Sequence, residues 1–389
     1  MLAITDGLLV FPEEIRRGVL LLEGDRILGC AETVPDGAEV LSAEGLYVGP
    51  GLIDEHLHGF SKGAEAYDIV DSLRDTALAH LRAGTTALLP SPSYSFRMDR
   101  YLSVIEESLA LMEQGDTPIV GIHLEGPYIN PRQGAGRKYA WKYTDEALTR
   151  LLEAGKGRIL TCTYAPEMPH GPQVEALLSR YGIIPAIGHT QADPESLCRA
   201  VRAGAKLATH LYDGMGHYLG IHAFDLTGDP QDSVSAVLLS LPGLAYELIC
   251  DSRGIHATPS SIRLAYRVAG EDGIILISDC TCYKRGKYRP EDFPAEDIRS
   301  APDLNITPNG TVFGSRLTVA DCAANFKKVT GADMRVCFKC ASTNSARVLG
   351  LEKDRGSLLP GRLADLVFAD GDFGIRRVLF HGKEVPHGA

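Results

Sequence analysis

The chain has 389 residues, of which 44% are hydrophobic and 23% are charged, a composition typical of a globular protein. Its 39 basic and 50 acidic residues give a formal net charge of −11, which disfavours binding to nucleic acid or to anionic membranes. The nine cysteines lack the spacing of a disulfide framework, and no signal peptide or membrane span is evident. We therefore expect a cytoplasmic protein that acts on a small molecule.

The two ends of the chain are predicted to form one small β-sandwich domain from residues 1–45 and 354–389. Near the start, the segment GVLLLEGDRILGC predicts a hairpin around Gly24. Near the end, ADLVFAD and RRVLFHGKEV predict strands with a turn at Gly382. Because neither end can bury a core alone, we expect the two to pair.

Between these ends, residues 46–353 alternate short apolar runs with amphipathic helical stretches. Eight such runs follow one another, from LYVGPGLID to GIILISDC. Their unbroken apolar character is typical of parallel strands that are buried on both faces. Several of the helical stretches begin with Asp, Pro or Ser and end with Gly, as helices commonly do. An unbroken series of eight β–α units predicts a closed (β/α)₈ TIM barrel.

Imidazole and carboxylate side chains recur at the carboxyl ends of these runs, where barrel enzymes carry their active sites. They are His56 and His58 after the first run, Glu125 after the third, His189 after the fifth, His210 after the sixth and Asp279 after the eighth. A single strand-end histidine is more often structural than a ligand, so the prediction depends on the whole set. Together they predict a site for one or two divalent metal ions. Zn²⁺ fits this set best, and Fe²⁺, Mn²⁺ and Co²⁺ are alternatives.

The chemistry of such a site predicts a hydrolase. A bound metal lowers the pKa of its water to about 7, and a neighbouring carboxylate can move the proton to a leaving group. Asp279 suits that task. For His123, which shares a strand face with Glu125, a supporting role and metal ligation both stay open.

Several segments along the chain form a specific set of motifs. They are PGLIDEHLH (50–58), GIHLEGPYINP (121–131), YAPE (164–167), IGHT (187–190), ATHLY (208–212), GIH (254–256), SD (278–279), GS (314–315) and GSLLPGRLADL (356–366). This set resembles the N-acetylglucosamine-6-phosphate deacetylase family of the amidohydrolase superfamily, over nearly the whole chain.

The resemblance implies a role for each matched residue. Glu125, His189 and His210 would bind the main metal, and His56 and His58 a second one. Asp279 would be the general acid and base. His256 would polarise the acetyl carbonyl or hold the substrate. The resemblance also implies a homodimer, in which the partner completes part of the phosphate site.

The sequence departs from the family pattern where the substrate phosphate would bind. Asp213 and Gly214 replace an Asn-Ala pair, the arginine expected shortly afterwards is missing, and Gly136 replaces a histidine. Together with His222 and Tyr128, these positions are predicted to contact the substrate. A phosphate carries about −1.5 to −2 charges and pairs best with the planar guanidinium of an arginine. Loss of that arginine should therefore weaken the binding of a phosphorylated substrate by several kcal/mol (about 2–5 kcal/mol). We therefore expect the removal of an acetyl group from an N-acetylated amino sugar or related amine, without specificity for the phosphate.

Two alternatives remain at this point. The chain could be another amidohydrolase, acting on N-acyl amino acids or cyclic amides. It could also be a non-catalytic barrel that is used for binding or assembly. That second alternative predicts missing ligands, whereas every matched ligand position is filled.

Overall fold

The computed structural model describes residues 1–62, 65–133, 141–216, 233–282, 299–300, 302–306 and 312–386. The strands are β1 Leu2–Thr5, β2 Leu8–Val10, β3 Ile15–Arg17, β4 Val19–Glu23, β5 Arg26–Ala31, β6 Glu39–Ser42, β7 Tyr47–Pro50, β8 Leu52–Leu57, β9 Gly59–Lys62, β10 Glu65–Asp68, β11 Thr85–Pro90, β12 Ile122–Glu125, β13 Ile159–Tyr164, β14 Ile184–Ile187, β15 Leu207–Ala208, β16 Ala245–Leu248, β17 Ile274–Leu276, β18 Arg299–Ser300, β19 Leu304–Ile306, β20 Val312–Ser315, β21 Leu366–Ala369, β22 Ile375–Phe380 and β23 Lys383–Glu384. The helices are α1 Leu73–Arg82, α2 Met98–Gln114, α3 Asp145–Ala154, α4 Gly171–Arg180, α5 Pro194–Arg202, α6 Val234–Ser240, α7 Pro259–Ala269, α8 Val319–Thr330, α9 Met334–Phe338, a π-helical turn Lys339–Thr343 and α10 Asn344–Val348.

Each of the eight predicted runs contributes one strand to a parallel barrel. Strands β12 to β17 pair in sequence order, and β8 pairs with β11. Hydrogen bonds close the barrel on one side of β8, from His58 N to Cys280 O (2.8 Å) and from Asp279 N to His56 O (2.9 Å). On the far side of β11, Leu88 N donates to Pro118 O at 2.8 Å. The prediction of a TIM-like barrel is therefore confirmed.

The helices begin where the sequence places capping residues. Helix α5 starts after Asp193, whose carboxylate accepts a hydrogen bond from Ser196 N, with Pro194 in the first turn. Helix α8 starts with a capping box between Thr318 and Asp321. Each such cap contributes about 1 kcal/mol to helix stability. These caps fix the point at which each strand-to-helix loop at the barrel mouth ends.

The chain ends form two sheets that share a second core. One sheet has the order β5-β4-β1-β6, and the other has the order β23-β22-β21-β7-β2-β3. Leu20, Leu22 and Phe368 are among the buried side chains between them. The hairpin at Gly24 and the turn at Gly382 are both present, and each glycine has a positive φ. The small β domain is thus built from both ends of the chain.

The first predicted run differs from the structure, because it is divided between the two domains. Its first half is β7, which pairs with β2 and β21 in the small domain, and only its second half, β8, enters the barrel. Gly51 separates them: its N–H donates to Asp365 O at 2.8 Å, and a Cβ there would overlap Thr86. Only a glycine fits at this position, where the chain passes from the small-domain sheet into the barrel sheet.

Candidate metal centre and active site

Five side chains that the sequence placed at separate strand ends converge at the barrel mouth. Two groups bring their ligand atoms within 4.8 Å of one another: His56, His58 and Glu125, and Glu125, His189 and His210. Glu125 belongs to both groups. All five side chains are buried or nearly so. The barrel therefore holds four imidazoles around one carboxylate.

The distances around Glu125 suit a site for cations. Its Oε1 lies 2.7 Å from His189 Nε2, 3.5 Å from His210 Nε2 and 3.6 Å from His56 Nε2. Its Oε2 lies 3.4 Å from His58 Nε2. Nε2 of His189 and Nε2 of His210 are only 3.1 Å apart, close enough for one metal ion to bind both nitrogens.

Hydrogen bonds at the opposite ring nitrogens prepare these histidines for metal binding. Nδ1 of His58 donates to Ser91 O (2.6 Å), and Nδ1 of His210 donates to Asp213 O (3.0 Å). A proton on Nδ1 leaves the Nε2 lone pair free for a metal. Nε2 of His56 is buried and has no hydrogen-bond partner in the described part of the chain, as a ligand atom for a metal would. The donor set therefore fits a divalent metal with nitrogen and oxygen ligands.

The electrostatics of the site favour positive charge. Burial alone would lower the pKa of His210, but its hydrogen bond to Glu125 and the charges of Asp213 and Asp279 raise it to about 9. Burial also opposes ionisation of Glu125, yet the charges of His189 and His58 and hydrogen bonds hold its pKa well below the usual value. A metal that binds here would displace protons from the imidazoles.

Two of the ligand candidates stand on a strained backbone. His189 and His210 have φ values of 46° and 29°, which is rare for residues with a side chain. Such strain collects at functional sites, where the surrounding structure maintains it. Gly214 lies directly against His189, because a Cβ on Gly214 would approach His189 Nδ1 to 2.8 Å.

Two side chains that the sequence left open or did not reveal, His123 and Glu247, lie behind the ligand candidates. His123 hydrogen-bonds to Ser91 Oγ and Thr163 Oγ1, both at 2.9 Å, and burial holds its pKa well below the usual value. Both of its ring nitrogens are thus engaged, which fits a supporting role. Glu247 accepts from His56 Nδ1 (3.3 Å) and from His210 N (3.2 Å), so it orients two ligand positions at once. A glutamate inside the apolar run YELIC was the available signal.

A second supporting carboxylate joins two loops of the mouth. Glu167 accepts hydrogen bonds from Asn130 Nδ2 (2.7 Å), Thr190 Oγ1 (2.5 Å) and Gln191 N (2.7 Å). It therefore connects the loop after β12 to the loop that carries His189. The motif YAPE, quoted for the family resemblance, contains this glutamate.

Asp279 lies beside the metal centre. Its Oδ1 is 3.3 Å from His58 Nε2 and 3.9 Å from His56 Nε2. Burial would raise the pKa of Asp279, but the hydrogen bond to His58 and the nearby imidazole charges hold it below the usual value. Asp279 is thus an ionised carboxylate at neutral pH, next to the candidate metal ligands His56 and His58.

Asp213 and His256 form an ion pair at the same mouth. Asp213 Oδ2 is 2.7 Å from His256 Nδ1, and burial of the imidazole is outweighed by this contact, so the pKa of His256 is raised. The charge of Asp213 is therefore shared with an imidazole rather than free to oppose an anionic substrate. That Asp213 and Gly214 contact the substrate directly stays a prediction.

A pocket opens onto the candidate metal centre. Asp213, Asp279 and Asp68 line it on the polar side, and Phe96 and Phe313 are among its apolar lining. Within the described ranges, this lining contains no lysine or arginine.

The remaining predicted substrate contacts stay predictions. Gly136 and His222 lie outside the described residues. Tyr128 is buried with its ring 4.8 Å from that of Tyr143, and it does not belong to the described pocket lining.

Comparison with known proteins gives the following relatives. No family model matches the chain. It is 30% identical to the N-acetylglucosamine-6-phosphate deacetylase of Bacillus subtilis (strain 168) over 334 residues, which cover 83% of this chain and 80% of that protein. It is 29% identical to the same enzyme of Lysinibacillus sphaericus over 356 residues, 89% of this chain and 87% of that protein. A solved structure of a mutant deacetylase from Mycobacterium smegmatis, in complex with N-acetyl-D-glucosamine-6-phosphate, superposes with a TM-score of 0.83 at 25% identity and 98% coverage of both chains.

Among the helices of the described ranges, none has the length and apolar character needed to cross a membrane.

Proposed function

Since the chain belongs to the N-acetylglucosamine-6-phosphate deacetylase family of amidohydrolases and is a metal-dependent hydrolase of carbon–nitrogen bonds, we propose that it removes the acetyl group from an unphosphorylated N-acetylated amino sugar. The observation that carries this proposal is the group of four imidazoles around Glu125, with Asp279 alongside. We propose Zn²⁺ as the metal, because imidazole and carboxylate ligands suit it.

The role proposed for each residue follows from its contacts in the structure. Glu125, His189 and His210 would hold the main metal, and His56 and His58 a second one. A bound metal supplies a water of lowered pKa and polarises the acyl carbonyl. Asp279 accepts the proton of the attacking water and returns it to the leaving amine. His256 holds the acyl oxygen, and the apolar part of the pocket limits access of bulk water.

The preference for an unphosphorylated sugar has support from the pocket. Carboxylates of Asp68 and Asp279 line it, and the described lining contains no lysine or arginine to pair with a dianionic phosphate. Lys142, considered from sequence as a substitute for the missing arginine, is exposed and is not part of that lining. The other basic candidates at 137, 138, 284 and 285 lie outside the described residues.

Steady-state kinetics test this proposal. The zinc-loaded protein should release acetate from N-acetylglucosamine with a kcat/KM at least equal to that for N-acetylglucosamine 6-phosphate. The Asp279→Asn variant should lose activity on both compounds by about 10²–10⁴-fold, the usual contribution of a general acid or base. A kcat/KM tenfold higher for the 6-phosphate would contradict the substrate preference alone. Turnover of neither sugar, with cleavage of N-acyl amino acids or cyclic amides instead, would contradict the deacetylase proposal.

We also propose a cytoplasmic homodimer. All nine cysteines are free thiols, which fits a reducing compartment. The dimer rests on the family resemblance, and light scattering coupled to size exclusion measures it directly.

A further inference from the structure

The contact between Asp213 and His256 assigns a task to a residue at which this chain departs from its family pattern. The His256 imidazole is buried, and its Nδ1 lies 2.7 Å from Asp213 Oδ2. Its other nitrogen, Nε2, is buried and has no hydrogen-bond partner among the described residues. One nitrogen of the ring is therefore fixed by Asp213, while the opposite nitrogen is unpartnered among the described residues.

Both partners are held by their own loops. Asp251 accepts hydrogen bonds from the backbone N–H groups of Arg253, Ile255 and His256, at 2.9–3.1 Å, which shapes the turn after β16. Asp213 N donates to His210 O at 2.8 Å, which closes the turn after β15. The ion pair thus joins two preformed turns at the carboxyl ends of adjacent strands.

The main chain of Asp213 also contacts a candidate metal ligand, His210. Its backbone carbonyl accepts from His210 Nδ1 at 3.0 Å, while its side chain lines the pocket. Through this one residue, a predicted metal ligand and a predicted substrate contact are held in fixed relation.

The charge of Asp213 raises the pKa of the His256 ring. Three carboxylates act on His256: Asp213 after β15, Asp251 in its own loop and Asp279 after β17. Burial lowers the pKa of His256, and the hydrogen bond and charge of Asp213 are the largest influences that raise it above the usual value. An amide at position 213 could still accept a hydrogen bond from Nδ1. Because the amide is uncharged, it would not counteract the effect of burial, and the pKa of His256 would fall.

We propose that Asp213 is a positioning residue whose carboxylate orients His256 and keeps it cationic, so that Nε2 presents an N–H to the acyl oxygen of the substrate. This inference rests on the proposed amide hydrolysis. A cationic donor stabilises the oxyanion of the transition state more than a neutral ring, because hydrogen bonds to charged partners are the stronger ones.

The test compares Asp213→Asn, Asp213→Glu and Asp36→Asn, the last an exposed control. In Asp213→Asn, kcat for N-acetylglucosamine at pH 7 should fall 10- to 100-fold with KM changed less than threefold. The alkaline limb of the pH profile should move to lower pH by at least one unit. Asp213→Glu should recover part of kcat, and all three proteins should bind the same amount of Zn²⁺.

A second measurement is independent of turnover. In zinc-loaded protein with ¹³Cε1-labelled histidine, the His256 signal, assigned with His256→Gln, should titrate at least one pH unit lower in Asp213→Asn than in the wild type. Equal titration in the two proteins would overturn the inference, as would an unmoved alkaline limb. If neither sugar is hydrolysed, the proposed function fails on that ground, and the titration alone still decides the task of Asp213.

Discussion

Replacing Glu125 by glutamine should remove the one carboxylate that both candidate metal groups share. Glutamine has nearly the same size, so packing at this buried position is preserved and the loss is electrostatic. Leaving a buried charge without its partner costs about 3–5 kcal/mol, and each 1.4 kcal/mol corresponds to a factor of ten. Zinc binding in Glu125→Gln should therefore weaken by roughly two to four orders of magnitude.

Competition with a chromophoric chelator measures this affinity, and atomic emission gives the metal content of the same samples. Glu106→Gln on the exposed face of α2 is a matched control that should bind zinc like the wild type. If Glu125→Gln kept its zinc affinity within threefold of the wild type, the shared carboxylate would not be a ligand, and the proposed centre would be wrong.

Three further changes have defined outcomes. Gly214→Ala should weaken zinc binding 10- to 100-fold by displacing His189, whereas Gly243→Ala, with a similar positive φ and open space around it, should not. The pKa of Glu271 is held at about 2, below its ordinary value of 4.5, mainly by Arg335. Chemical denaturation should therefore find Glu271→Gln about 1–2 kcal/mol less stable at pH 7, and this difference should fade between pH 4.5 and 2, because the stabilisation needs the ionised carboxylate. A difference that persisted unchanged at pH 2 would show that its origin is not the charge. Removal of metal by a chelator should abolish amide hydrolysis, and added Zn²⁺ should restore it; activity that survived chelation would exclude metal dependence.

The barrel and the convergence of its polar residues could be predicted from sequence because both follow from simple periodic rules. Eight apolar runs in series leave few alternatives to a closed barrel, and residues at carboxyl strand ends meet at one mouth whatever the exact register. His56 and Glu125 are distant in the chain, yet both were predicted to meet there, and their side chains lie 3.6 Å apart. The family inferred from the motifs is confirmed by the relatives.

The residues that hydrogen-bond to the candidate ligands and to their loops could not be predicted in the same way. Glu247 and Glu167 are single letters in an apolar run and a loop, and which imidazole or loop they bind depends on the twist and closure of the barrel. Asp213 was interpreted as a charge facing the substrate, because its hydrogen bond to His256 joins two different loops and leaves no local pattern. The division of the first run at Gly51 was equally hidden, since β7 and β8 are both apolar.

The turn at Asp213 has a consequence for how such enzymes diversify. The atom that supports the metal ligand His210 belongs to the main chain, and every amino acid supplies it. The atoms that touch His256 belong to the side chain, and mutation can exchange them freely. A single codon change at this position can thus alter the setting of the His256 ring, while the main-chain support of the metal ligand His210 is kept.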